Sequence, residues 1–240
     1  MNKKAIIIGA TSGIGRGLAE ILAADGYRVG ITGRRTALLE ELRSQRPDCF
    51  VLRTLDVCNL ESIVPTLESL VEELGGGLDL LVINSGTGTR NPSLDFETEL
   101  PAIYTNVVGY TCVADWTYKY FERHAVGHLV AITSVAGLRG MRFAPAYNAS
   151  KAYQINYLEG LKQKAVASRK NIIITDVRPG FVDTALAQGE GVFWMASVEK
   201  AAKQIYSAIK AKKRTVCITK RWRLIHFAIR LIPNVIYNKI

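Results

Sequence analysis

Short apolar runs recur along the chain, each separated from the next by roughly a helix length. Ala5–Ile8, Tyr27–Ile31, Phe50–Leu55, Leu78–Ile83, His128–Ile132, Ile172–Val177 and Thr215–Ile218 are dominated by Val, Ile and Leu, with little alternation of polar and apolar positions. Strands buried on both faces read this way, because helices cover both sides of a parallel sheet. The intervening segments carry their apolar residues mostly at helical spacing. The pattern predicts an α/β fold with one doubly wound parallel sheet of about seven strands. Residues 1–219 are expected to form a single domain, followed by a tail over 220–240. The stretch least like regular structure runs from Gly180 to Ser197 and includes Gly189, Gly191, Phe193 and Trp194.

Composition changes this picture little. A chain of 240 residues can bury roughly three quarters of its unfolded surface in one domain, so neither a disulfide nor a metal is expected. Cys49, Cys58, Cys112 and Cys217 are scattered with no C-x-x-C pair, which fits reduced thiols in a cytoplasmic protein. Met1–Lys4 leads straight into the first strand, whose apolar run is too short for an export signal.

Charge changes more. The net charge is +10, yet Lys200–Ile240 alone holds 11 Lys and Arg and no acid, leaving 20 basic against 21 acidic residues before it. Basicity confined to one end argues against a nucleic-acid-binding surface and for a local anionic partner.

The first strand ends in Gly9-Ala10-Thr11-Ser12-Gly13-Ile14-Gly15, with a helix expected from about Arg16. Glycines let backbone approach a pyrophosphate, and the helix N-terminus then supplies N–H groups and a positive dipole end. At the end of the second strand stands Gly33, followed by Arg34 and Arg35. An NAD enzyme places an acid near here for the ribose hydroxyls, whereas an adenosine 2′-phosphate calls for guanidinium groups. Missing acid and added bases favour NADP(H) over NAD(H). Arg34 and Arg16 are the expected phosphate ligands, with Arg35 as a helper.

Further along, Tyr147 and Lys151 are spaced i and i+4, so a helix puts them on one face. A tyrosine titrates near pH 10, and bringing it to about 7 takes roughly 4 kcal/mol of differential stabilisation. A neighbouring ammonium in a partly dry site, with the cationic oxidised nicotinamide, is expected to supply it. Ser134 lies thirteen residues before Tyr147, where its hydroxyl can hold a substrate oxygen.

The spacing G-x-x-x-G-x-G and the ordered set that follows it resemble the short-chain dehydrogenase/reductase family over about residues 4–218. The resemblance implies a Rossmann-type fold and hydride transfer between nicotinamide and a carbonyl or secondary alcohol, with Tyr147 as general acid and base and no metal. It implies that Asp56 and Val57 face the adenine and that Asn84-Ser85-Gly86 lines the groove, though the usual form is Asn-Asn-Ala-Gly. It implies that Asn106 sits at a helix kink whose freed carbonyl holds a water linking Lys151 to solvent. After the sixth strand it implies a turn at Pro179-Gly180, a backbone contact from Val182 to the carboxamide, and a contact from Thr184. A non-catalytic NADP-binding sensor is the competing reading, and 3-oxoacyl thioester reduction competes within the enzyme class.

Val135, Ala136, Leu138, Met141, Phe143, Phe193 and Trp194 are the candidates for the substrate wall and suggest an apolar or lipid-like carbonyl or alcohol. The tail from Lys220 to Pro233 has the composition of an interfacial amphipathic helix with Trp222 at the border, and Arg230 and Pro233 keep it too short to span a bilayer. It packs either on a membrane surface or on protein. The resemblance implies pairing through the helices that hold Asn106 and Tyr147, hence a homodimer, with a tetramer left open.

Overall fold

The computed structural model describes residues 3–187 and 193–239. Gly189 and Gly191 of the expected irregular stretch lie outside the described residues. Seven strands form one parallel sheet: β1 (Lys4–Ile8), β2 (Arg28–Gly33), β3 (Phe50–Thr54), β4 (Leu80–Ile83), β5 (Val126–Ile132), β6 (Asn171–Pro179) and β7 (Thr215–Ile218). Their order across the sheet is β3-β2-β1-β4-β5-β6-β7. All seven expected runs are strands, displaced by at most a few residues at their ends.

Helices cover both faces. On one side lie α1 (Gly13–Ala24), α2 (Thr36–Gln45) and α7 (Val198–Lys210), packed on Ile7, Val29, Ile31 and Val82. On the other lie α3 (Leu60–Glu73), α5 (Tyr110–His124) and α6 (Pro145–Ala167), packed on Ile6, Ile8, Leu81 and Leu129. The consecutive Ile6, Ile7 and Ile8 thus point alternately into two cores, which is why the run does not alternate with polar residues. Each is at most 1% exposed, and burying such a side chain is worth about 2–3 kcal/mol.

The order reverses between β1 and β4, so the crossover after β3 leaves a crevice at their carboxyl ends. Open parallel sheets bind ligands at such a switch point. Further elements are α4 (Phe96–Ile103), a π-helical turn at Tyr104–Gly109 and a short 3-10 turn at Val135–Leu138. The tail forms α8 (Lys220–Leu231) and α9 (Asn234–Tyr237). No helix among the described residues is long and apolar enough to cross a membrane.

Trp222 is buried rather than at the border of an exposed face. Its ring lies on Gly180 and meets Phe181 edge-on at 5.3 Å and Phe193 stacked at 5.2 Å. Positions 222, 225, 226 and 229 turn inward at helical spacing, while Leu224, Phe227 and Leu231 face outward. Arg139, just after the 3-10 turn, donates to the carbonyls of Ile229 and Ile232 at the end of α8 and to Asn234 Oδ1. One guanidinium thus caps the helix and ties the tail to the loop after Ser134.

Candidate active site

The glycine turn after β1 is held by backbone packing. Asn84, at the end of β4, donates from Nδ2 to the Gly9 carbonyl at 2.6 Å. A Cβ on Gly15 would stand 2.0 Å from that same oxygen, so no side chain fits there. Ser12 precedes α1 without a side-chain cap, leaving the helix N-terminus facing the crevice. Thr11, Ser12, Gly33, Arg34, Arg35, Asp56, Val57, Asn84, Ser85 and Gly86 line one continuous cavity. These come from four strand ends, and only the parallel topology brings them together.

Gly33 explains the missing acid in physical terms. A Cβ there would lie 2.5 Å from Cγ2 of Thr11, so β2 ends without a side chain and the space belongs to the glycine turn. Arg35 donates to Thr11 Oγ1 at 2.7 Å and to Ser12 Oγ at 2.8 Å, placing a guanidinium on the turn itself. Arg34 also lines the cavity. Arg16 does not: its guanidinium is held by Glu41 at 2.7 Å and Glu20 at 3.3 Å, and Glu41 foremost raises its pKa. Asp56, which lines the cavity, accepts from the N–H of Cys58 in a turn bond. Ser85 Oγ is buried without a partner among the described residues. A positive rim, an uncapped helix end and an orphaned hydroxyl along one cleft fit a dinucleotide.

The catalytic candidates meet at the ends of β4 and β5. Ser134 follows β5 and accepts from the N–H of Ala136 at 3.0 Å, so its own proton remains available to donate. Tyr147 stands on the first turns of α6, with its ring against Gly88. Burial raises its pKa, and the hydroxyl of Ser134 pulls the other way. In the cofactor-free chain burial outweighs that hydroxyl and favours the neutral phenol. Lys151 stands one helical turn further along α6. Its Nζ donates to the Ile132 carbonyl at 3.1 Å and to Gln154 Oε1 at 3.0 Å. Burial lowers Lys151 to about 8, with Asp176 opposing that shift. The ammonium tip also lies beside Gly86, at the inner end of the cavity.

Asn106 is fully buried within the π-helical turn. Its side chain clasps Thr87 twice, donating to the carbonyl at 2.6 Å and accepting from the N–H at 2.9 Å. Its Nδ2 also donates to Ser150 Oγ at 3.0 Å. The methyl of Thr184 packs over Gly13, and the Thr184 hydroxyl donates to the carbonyl of Val182 at 3.2 Å. Pro179 ends β6, and Gly180 donates its N–H to Ile218 of the last strand.

Four contributors have no site role in the sequence reading, where Trp222 stands only at the border of the tail's apolar face. Asn148 donates to the carbonyls of Ala136 and Arg139 and so moors the Ser134 loop to α6. The buried pair Asp176–Arg178 closes at 2.6 Å, with Thr133 donating to the same carboxylate. Gln154 bonds Lys151, and Trp222 covers Gly180. Only Asn148, adjacent to Tyr147, carries a sequence signal. The others depend on which strand lies next to which. Among the described residues, no cluster of His, Cys, Asp and Glu could hold a metal.

Residues 3–192 match the model of the short chain dehydrogenases, and the chain belongs to that family. Its relatives include an uncharacterized oxidoreductase of Myxococcus xanthus (strain DK1622), 35% identical over 189 residues, covering 77% of this chain and 74% of the relative. Another, from Mycobacterium tuberculosis, is 32% identical over 217 residues, covering 87% and 85%. In fold the chain is similar to ElxO with NADP bound, with a TM-score of 0.79 at 23% identity over 91% of this chain and 97% of that one. It is equally similar to the 3-ketoacyl-(acyl-carrier-protein) reductase of Brucella melitensis complexed with NADH, with a TM-score of 0.80 at 19% identity over 90% and 96%. The chain is thus an oxidoreductase of the short chain dehydrogenase family.

Proposed function

We propose that this oxidoreductase reduces a carbonyl to a secondary alcohol with NADPH, Tyr147 supplying the proton. The observation that carries the reading is that Lys151 Nζ lies against Gly86 and the Tyr147 ring, hydrogen-bonded to Ser134, against Gly88, next to the cavity lined by Gly86, Arg34 and Arg35. Residues of the glycine turn, with Arg34 and Arg35, would hold NADPH, which when bound would supply the hydride for the carbonyl carbon. Ser134 donates to the carbonyl oxygen and fixes it near the phenol. Tyr147, held neutral by burial, then gives its proton to that oxygen as negative charge develops there. A neutral phenol suits the reductive direction, since a phenolate has no proton to give. Lys151 places positive charge beside the phenol and eases its ionisation in the transition state.

Arg34 and Arg35 favour the 2′-phosphate of NADP(H), and the NADP bound to ElxO supports this choice, although the Brucella protein holds NADH. Val135, Met141, Phe193 and Trp194, the residues expected to form the substrate wall, would suit an apolar, lipid-like carbonyl. A second reading, 3-oxoacyl thioester reduction, is favoured by Arg90 and Arg142. Their guanidinium carbons lie 4.8 and 4.6 Å from the centroid of Phe143, beside the turn of chain that packs on Tyr147. Two cations there would suit a substrate with an anionic carrier. NADPH oxidation measured over a panel of ketones, aldehydes and 3-oxoacyl thioesters tests both readings. Binding of NADPH with turnover of none would leave only the sensor.

The outward face of α8 and α9 bears Leu224, Phe227, Leu231, Val235 and Ile236, all exposed, with Arg221 and Arg223 beside them. Self-association through this face would bring like charges together, so an anionic membrane surface suits it better. Flotation with phosphatidylglycerol vesicles but not phosphatidylcholine vesicles is the expected result; failure with both overturns it. The homodimer is assigned instead to the mostly apolar recess of Ile103, Val107, Pro145, Ala146 and Ala149, which Glu99 and Ser150 also line, near Tyr104 and Tyr153. Light scattering at micromolar concentration should give twice the chain mass, and a monomer would contradict it.

A further inference from the structure

Gln154 lies on α6 one turn beyond Lys151 and is 1% exposed. Both ends of its amide are used. Oε1 accepts from Lys151 Nζ at 3.0 Å, and Nε2 donates to the backbone carbonyl of Asn106 at 2.9 Å. That carbonyl is open because the turn before α5 is π-helical: the N–H of Tyr110 bonds to Thr105 instead of Asn106. The family pattern puts a water at this carbonyl. Here a side chain of the protein reaches it.

We propose that Gln154 is a positioning residue of the proton-transfer site, fixing the Lys151 ammonium to the Asn106 carbonyl with a side chain where the family pattern has an exchangeable water. The inference rests on the reductase reading for its effect on turnover.

The residue type fits this task. A buried amide is costly unless its donor and acceptor are both satisfied, and here one meets an ammonium and the other a carbonyl freed by the π-turn. Glutamine joins a cation to an acceptor at fixed spacing and keeps the same charge at every working pH. A leucine of similar size would leave one lysine proton and the Asn106 carbonyl unmet. The amide also differs from water in function. It neither ionises nor rotates freely, so it anchors Lys151 without handing a proton across from Asn106.

The ionisable groups around Lys151 are Tyr147 on its own helix, Asp176 with its partner Arg178 on β6, and Tyr110 on α5, which lies in the field of Asp176. Gln154 itself is uncharged, so its substitution alters the hydration and hydrogen bonding of the ammonium while these charges stay.

The test compares wild type, Gln154→Leu and Gln154→Glu. The Lys151 amine is titrated in the cofactor-free protein by NMR of lysine labelled at the ε carbon, its signal identified by its loss in Lys151→Arg. The pH profile of kcat with NADPH is measured in parallel. In Gln154→Leu, Lys151 should titrate about one unit lower, the alkaline limb of kcat should move down with it, and kcat at pH 7 should fall about tenfold, with the KM for NADPH nearly unchanged. Gln154→Glu, which keeps the size and carries the test should the leucine variant not fold, should move both titrations upward. Unchanged Lys151 titration in folded variants overturns the proposal, as does a uniform loss of kcat with no movement of the limb. If the NMR titration moves as described while no carbonyl is turned over by wild type, the reductase reading fails and the Gln154 bridge stands.

Discussion

The two ends of the crevice are built differently. The outer, phosphate end is made of backbone: the turn from Gly9 to Gly15 packs so closely that Gly15 has no room for a methyl group, and Asn84 pins the turn through a carbonyl. The inner end is made of side chains. Ser134, Tyr147, Lys151, Asn106 and Gln154 come from three places in the fold, the turn after β5, the π-helical turn and α6, and hold one another by hydrogen bonds or packing. A backbone site is broken by adding an atom, whereas a side-chain site is broken by removing one. The first kind of damage should appear in cofactor affinity and the second in turnover.

The largest effect expected from this contrast is Tyr147→Phe. Removing the hydroxyl should lower kcat by about a thousandfold while NADPH affinity stays within a factor of about two. Fluorescence titration and steady-state rates check both halves, and lost NADPH binding would place the ring at the wrong end. Gly15→Ala should do the reverse. Its methyl meets the Gly9 carbonyl, so the turn must open, and NADPH affinity should fall about a hundredfold or the protein should lose about 2–3 kcal/mol of stability. Normal binding and an unchanged melting temperature would refute the close packing. Arg34→Ala should weaken NADPH about tenfold and NADH hardly at all, because only the 2′-phosphate is lost as a partner. Equal weakening would remove the phosphate assignment, and an effect seen only in Arg35→Ala would move it by one residue.

A control lies at the opposite end of the sheet. His128 is buried against Thr175, and burial holds its pKa at about 4, below the 6.5 of a free histidine. The unfolded chain therefore binds a proton that the folded chain refuses between those values. The stability this confers is complete above about pH 6.5 and is lost as pH falls toward 4, by roughly 3 kcal/mol. Urea denaturation in His128→Asn should show a shallower loss over that window, and an unaltered slope would assign the acid sensitivity elsewhere. The smallest effect is expected outside the crevice altogether. Leu224→Ser and Phe227→Ser, on exposed positions of α8, should change folding stability by no more than about 0.5 kcal/mol each. Trp222→Ala, one turn away but buried on Gly180, should cost several times more.

The contrast between the two ends also separates what the sequence discloses from what it conceals. Ile6-Ile7-Ile8 and its counterparts mark strands because burial on both faces removes every polar position, and the glycine turn is visible because only glycine tolerates its packing. Tyr147 and Lys151 are visible through helical spacing, since both lie on one element. Contacts between elements are not visible. Nothing near Lys151 in the chain tells that Gln154 would find an Asn106 carbonyl nearly fifty positions earlier, or that Glu20 and Glu41 would hold Arg16 while Arg35 takes the turn. The amphipathic pattern of the tail shows that one face is apolar, but not that Trp222 is drawn inward by a glycine with no side chain of its own.

The central claim is that a hydride reaches a carbonyl carbon at Tyr147. Its most direct test is to incubate the protein with NADPH deuterated at the nicotinamide C4 and a reactive ketone, and to analyse the alcohol by mass spectrometry. The account predicts deuterium on the carbinol carbon from one C4 face only, formed by wild type and abolished in Tyr147→Phe. Alcohol without deuterium, or equal label transfer by the phenylalanine variant, would contradict it.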